Sequence, residues 1–148
     1  MKGTTMETIA LGADHGGYEL KEHVKAYLAQ RKDITVVDYG TDSAESVDYP
    51  EYGKKVAEIV ASKKADRGII VCGTGIGISI AANKVKGIRA ANCVTPFMAE
   101  MSRKHNNANI LALGGRILTK DQALEIVKIW LDTPFEGGRH ERRVAQLG

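Results

Sequence analysis

The stretch GIIVCGTGIGISIAANKV, residues 68–85, contains a short apolar run (Gly68–Cys72), a turn with glycine at every second position (Gly73, Gly75, Gly77) and then a segment of helix formers. An apolar run with no polar alternation reads as a strand covered on both faces, the kind found in parallel sheets sandwiched by helices. The pattern recurs on either side, in Thr8–Ala13, Ile34–Asp38, Ile88–Asn92 and Ile110–Leu113. Between these runs Leu20, Val24, Tyr27 and Leu28 repeat at helical spacing, as do Tyr52, Val56, Ile59 and Val60, and Ala123, Val127, Trp130 and Leu131. Each set makes one buried stripe on a helix. Alternation of strand and helix implies right-handed crossovers, hence an open, three-layer α/β sandwich on a five-stranded parallel sheet. A length of 148 residues fits one domain spanning 1–148. Residues 1–7 are expected to form a loose amino-terminal end and 134–148 a helical carboxyl-terminal arm.

Composition removes several classes of function. Lys+Arg exceed Asp+Glu by 21 to 18, no run of five like charges occurs, and aromatics are 5% of the chain. A nucleic-acid surface needs a basic stripe or stacking aromatics, so neither nucleic acid nor an anionic membrane is an expected partner. No apolar stretch reaches the 18 or so residues of a membrane span, and MKGTTMETIALG lacks the apolar core of a signal peptide, so a cytoplasmic location is expected. Cys72 and Cys93 are too far apart for a zinc or thioredoxin motif and are expected as free thiols, with Cys93 serving packing.

Ligands of open α/β sheets sit beyond the carboxyl ends of the strands. Asp14-His15-Gly16-Gly17 follows the first strand, and the polar loop GTDSAESVDYP, with Asp48 and Tyr49, follows the second. CGTGIG ends the third and Gly114-Gly115-Arg116 the fifth. The amides of CGTGIG, opening a helix, can curl around a small anion. A Walker loop would carry Lys and Ser/Thr after Gly77, where Ile78 and Ser79 stand, and a dinucleotide fingerprint counted from Gly73 fails at Ile78. Cys72 borders this nest. A helix start favours the thiolate, available as base or nucleophile, although a buried apolar cysteine is the plain alternative.

The histidines His15, His23, His105 and His140 show no pair at metal-ligand spacing on a helix, so neither a metal nor a cofactor is expected. His15 can reach the rim of the glycine nest, whereas His23 reads as solvated. His105 ends a helix in SRKHNNANI, where Asn106 and Asn107 read equally well as simple caps. After Gly137-Gly138, Arg139 and Arg143 are four apart, so they either clamp a phosphate from one helix face or form a solvated basic face.

ADHGGYELK, SVDYP, CGTGIGISIAANKVKGIRAA, RKHNNANILALGGR and TPFEGGRHERR together resemble the ribose-5-phosphate isomerase B family, which also includes allose-6-phosphate and galactose-6-phosphate isomerases. The likeness runs from Ile9 to Arg143. It implies a metal-free aldose–ketose isomerase of the pentose phosphate pathway with a Rossmann-like fold, acting as a homodimer or a dimer of dimers. By resemblance Cys72 is the base that moves a proton between C2 and C1. Thr74 and the amides of Gly73, Gly75, Ile76 and Gly77 stabilise the enediolate, and His105 opens the furanose ring. Asp14, Tyr49 and Asn106 surround the sugar hydroxyls, while His15, Arg116, Arg139 and Arg143 hold the phosphate. A second branch of the family has Gly for Cys and a glutamate base on the first turn of the following helix, where this chain has Ile78, so the cysteine branch is the one resembled.

Topology adds a further expectation. A helix leaving the fourth strand runs back antiparallel to it, so His105 should lie at the rim opposite Cys72. The two residues could then share a substrate only across a two-fold interface. The rivals are a hexose-6-phosphate isomerase, a noncatalytic sugar-phosphate-binding subunit and, third, a nucleotide-binding module.

Overall fold

The computed structural model describes residues 6–148. Its strands are β1 (Glu7–Ala13), β2 (Ile34–Asp38), β3 (Arg67–Cys72), β4 (Ala90–Asn92) and β5 (Ile110–Gly114), all parallel in the order β2-β1-β3-β5-β4. The helices are α1 (Tyr18–Ala29), α2 (Tyr49–Ala61), α3 (Ile76–Asn83), α4 (Pro96–Lys104), α5 (Lys120–Asp132) and α6 (Arg139–Ala145).

Side chains alternate across the sheet with the period of two that a pleated strand imposes. Ile9, Leu11 and Ala13 of β1, Ile69 and Val71 of β3, and Leu111 and Leu113 of β5 pack with α1, α4 and α5 in one buried layer. Ala10, Ile70, Cys72, Ile110 and Ala112 pack with α2 and α3 in the other. Both faces are covered, which is why the strands read as unbroken apolar runs. Each fully buried Ile or Leu contributes about 2 kcal/mol of transfer free energy. Side-chain caps set two helix starts. Thr95 accepts from the Met98 amide at 3.1 Å ahead of Pro96, and Thr119 and Gln122 form a reciprocal capping box on α5.

Several boundaries differ from the sequence expectation, β3 starting one residue earlier at Arg67 and β5 ending one later at Gly114. Glu7 is not part of a loose end: it opens β1, and its carboxylate pairs with Arg67 of β3. Residues 1–5 lie outside the described residues. β4 begins at Ala90, not Ile88, because the Ile88 amide is spent on the Val85 carbonyl and the Arg89 amide on Asn109 Oδ1. The loop after β2 ends one residue before Tyr49, which starts α2, with Pro50 in its first turn. α3 opens at Ile76, inside the glycine motif.

β1 lies between β2 and β3, so the chain leaves it first to one side and then to the other. A crevice opens at such a reversal, at the carboxyl ends of β1 and β3.

Candidate active site

Three strand-to-helix turns meet over this crevice at backbone distance. A methyl group on Gly16 would stand 3.1 Å from the Gly73 nitrogen, and one on Gly115 would stand 2.6 Å from the Gly16 carbonyl oxygen. Only residues without a Cβ let the turns after β1, β3 and β5 close on each other. The Asp14 carboxylate accepts the Gly17 amide at 3.0 Å and is buried, which fixes the first turn. His15 Nδ1 accepts the Val47 amide at 3.1 Å, tying the loop after β2 to the rim. In neutral His15 the proton is therefore on Nε2, a donor. His15 and Arg116 line a cavity of about 370 Å³ with Glu19, His23 and Lys120, at the amino-terminal ends of α1 and α5. His23, expected to be simply solvated, belongs to this cavity wall.

Cys72 is the last residue of β3 and points to the α2/α3 face. It is 5% exposed, yet its Sγ does not face away from the loop: it accepts the Gly75 amide at 3.1 Å. Gly75 has φ +81°, the left-handed region, and a Cβ there would collide with Asn92 Oδ1. The exposed Thr74 hydroxyl accepts the Ile76 amide at 3.2 Å. The amides of Gly77 and Ile78, in the first turn of α3, have no carbonyl one turn back within the helix, so the positive end of the helix opens beside the sulfur. Tyr49 is 42% exposed and its ring lies against Gly77, while the Arg116 guanidinium covers Gly73. Asp14, His15, Tyr49, Cys72, Gly73, Thr74, Gly75, Ile76, Gly77 and Arg116 thus converge at one rim.

His105, Asn106, Arg139 and Arg143 do not join them. Asn109 accepts from Gly68 at the start of β3, and Asn107 faces Glu7, Arg67 and Arg89, which places this segment at the amino rim. His105 is the carboxyl cap of α4, and Asn107 takes the left-handed conformation (φ +48°) that ends the helix. Arg103 secures the turn by donating to Thr133 O (3.1 Å), Asn107 Oδ1 (3.0 Å) and Ala108 O (2.7 Å). Its guanidinium is held down to about 10 by burial, helped by Arg67 and Arg89 and opposed by Glu7. The His105 and His140 rings stack at 4.2 Å with 13° between their planes, so α6, carrying Arg139 and Arg143, travels with His105. Arg139 and Arg143 are exposed and form no ion pair among the described residues. Burial, then the charges of His105, Arg139 and Arg143, hold the His140 imidazole below its ordinary value, against the pull of Glu136. The spacing argument that paired no histidines missed this meeting, because distant segments create it.

Two further residues escaped the sequence reading. Asn92, ending β4, donates to Thr74 O at 3.4 Å and abuts Gly75; the signal was a polar residue closing an apolar strand at this rim. Lys21, fully buried in α1, donates to both oxygens of Asp38 (3.0 and 2.8 Å) and to Thr41 O (2.6 Å), anchoring the root of the loop that carries Val47. Burial pushes the Asp38 carboxyl up, but Lys21, the Gly40 amide and Lys25 together hold it below its ordinary value.

Comparison with known proteins agrees with this fold. The profile of the Ribose/Galactose Isomerase family matches residues 9–147. The ribose-5-phosphate isomerase B of Escherichia coli strain K12 is 50% identical over 96% of this chain and 95% of its own. The D-erythrulose-4-phosphate isomerase of Pectobacterium atrosepticum is 44% identical over 97% and 94%. The solved structure of ribose-5-phosphate isomerase B from Clostridium thermocellum superposes with a TM-score of 0.94 at 57% identity, covering 95% of each chain. With its thiol at the head of a glycine turn and a match across nearly its whole length, this chain belongs to the ribose/galactose isomerase family.

Proposed function

We propose that the chain interconverts D-ribose 5-phosphate and D-ribulose 5-phosphate, a step of the pentose phosphate pathway. The observation that carries this reading is Cys72 Sγ beside the amide-lined turn at the start of α3. The Cys72 thiolate takes the C2 proton of the open-chain aldose and returns it to C1, while a proton passes from O2 to O1. Negative charge builds on the enediolate oxygens, and preformed donors where charge develops lower such a barrier most. On this reading Thr74 and the amides of Gly73, Gly75, Ile76 and Gly77 answer that charge, the Gly75 and Ile76 amides turning to it from their bonds to Cys72 Sγ and the Thr74 hydroxyl. The transfer is redox-neutral overall and calls for no cofactor. Asp14 and Tyr49 meet the sugar hydroxyls, and His15 and Arg116 the phosphate, whose binding orients the reacting carbons.

His105 opens the sugar ring, with Asn106 beside it, from the other subunit of a homodimer. Support comes from the opposite placement of the two rims and from an apolar surface beside the edge strand β4. Ile76, Ile80, Val94, Phe97 and Ile117 are all at least 42% exposed there. A second copy packed antiparallel on this edge covers that surface and brings one amino rim to the other's carboxyl rim, producing two identical sites. Because His140 stacks on His105, Arg139 and Arg143 come from the same subunit as His105. A cytoplasmic setting follows from the family's phosphorylated substrates.

The test is a coupled assay in EDTA with ribose 5-phosphate, allose 6-phosphate and D-erythrulose 4-phosphate, using the wild type and Cys72→Ala. Fastest turnover of the pentose, lost in the variant with ligand affinity retained, is expected. Preference for the six-carbon or four-carbon sugar would replace the substrate, and full activity in Cys72→Ala would remove the mechanism.

A further inference from the structure

We infer that His105, Glu136 and His140 form a site for a divalent transition-metal ion of the zinc or cobalt type, and that filling it blocks turnover. The nitrogen and oxygen donors of the three side chains all lie within 4.8 Å of one another, with His140 Nε2 3.6 Å from Glu136 Oε1. Tetrahedral zinc with bonds of about 2.0–2.1 Å needs donors about 3.3 Å apart and an ion in the plane of each imidazole, so the His105 and His140 rings must tilt out of their near-parallel stack by side-chain rotation to share it. The three backbones are already fixed. The His105 amide donates to Met101 O at 2.9 Å, the Glu136 amide to Lys104 O at 3.1 Å, and the His140 amide to Gly137 O at 3.1 Å. Glu136 is half exposed, which leaves its carboxylate free to adjust and an open side from which an ion can enter. Two imidazoles and one carboxylate favour zinc, cobalt, nickel or copper over magnesium or calcium, and leave a fourth position for water. Arg139 and Arg143 on the same short helix weaken the site without occupying it.

The inhibitory half of the inference rests on the isomerase reading, in which His105 exchanges a proton with the sugar ring oxygen. A metal bond takes the imidazole lone pair that this exchange uses. The site itself does not depend on that reading.

The experiment adds cobalt(II) or zinc to enzyme stripped with EDTA and freed of chelator. Expected are one ion per chain by titration calorimetry, a tetrahedral cobalt absorption band, and turnover that zinc suppresses and EDTA restores. Glu136→Gln should keep its basal turnover in EDTA while losing at least tenfold in zinc affinity and in sensitivity to inhibition, and His140→Asn should lose the cobalt band. Cys72→Ala should retain the band, which separates this site from thiolate binding. A band and affinity unchanged in both Glu136→Gln and His140→Asn would overturn the site. Stoichiometric binding through these residues with undiminished turnover would keep the site, but remove the inhibition and the role given to His105.

Discussion

The Gly75 amide donates a hydrogen bond to Cys72 Sγ at 3.1 Å, so the residue that turns the glycine loop also addresses the thiol. The left-handed φ of Gly75 aims that amide, and Asn92 fills the space where a side chain would go. Thiol and loop therefore act as one unit. Cys72→Ala should lower kcat by a factor of roughly 10²–10⁴, the usual contribution of a general base, with little change in calorimetric affinity for a substrate analogue. Gly75→Ala should damage activity comparably through loop geometry, and its binding should also weaken.

Subunit mixing tests the shared site. Cys72→Ala and His105→Ala are each expected to be nearly inactive alone. Mixed after mild dissociation, half of the dimers pair the two variants and carry one intact site of two, so activity should recover to about a quarter of wild type. No recovery, with heterodimers demonstrated by mass spectrometry, would place both residues in one chain's site.

On the proposed reading, in which Arg139 holds the phosphate that orients the reacting carbons, Arg139→Ala should raise KM and lower kcat together, reducing kcat/KM by roughly 10–100-fold. A change in KM alone would reduce this residue to uniform binding.

Lys21→Met leaves Asp38 without its main partner at the root of the loop after β2. Breaking such a pair costs about 3 kcal/mol, or roughly 10 °C of melting temperature in a chain of this size. Folding holds the Asp38 carboxyl below its ordinary 3.8. Its contribution is therefore present above that pH and disappears as pH falls through the lower folded value. The gap in melting temperature between variant and wild type should be full at pH 7 and close in strong acid. A gap independent of pH would assign the effect to packing alone.

Burial pushes the Cys93 thiol from 9.0 up to about 11, with a weaker opposing pull from Ser102. A thiol raised by folding favours the native state fully below pH 9, and this contribution fades as pH climbs toward 11. In the Cys72→Ala background, Cys93 should resist iodoacetamide in native protein at pH 8 and react readily once denatured.

The one-dimensional pattern determined the sheet, its parallel sense and the rim where the candidate site residues of the turns gather, because unbroken apolar runs need cover on both faces and turns after parallel strands share one edge. It also anticipated that His105 lies opposite Cys72, since a helix returning from β4 must end at the other rim. The short extent of β4 was not legible, because the Ile88 amide is taken by Val85 in a local turn and the Arg89 amide by Asn109, a partner that only folding brings near. Lys21 did not announce itself, whereas Asn92 did so only as a polar residue closing an apolar strand. A lysine among helix positions reads as solvated until Asp38 and the Thr41 carbonyl are found to enclose it. Only the tertiary structure set His140 on His105 and so decided that the two arginines of α6 accompany that histidine. Spacing along a chain reports on one helix or one strand, whereas contacts between distant segments depend on how the layers pack.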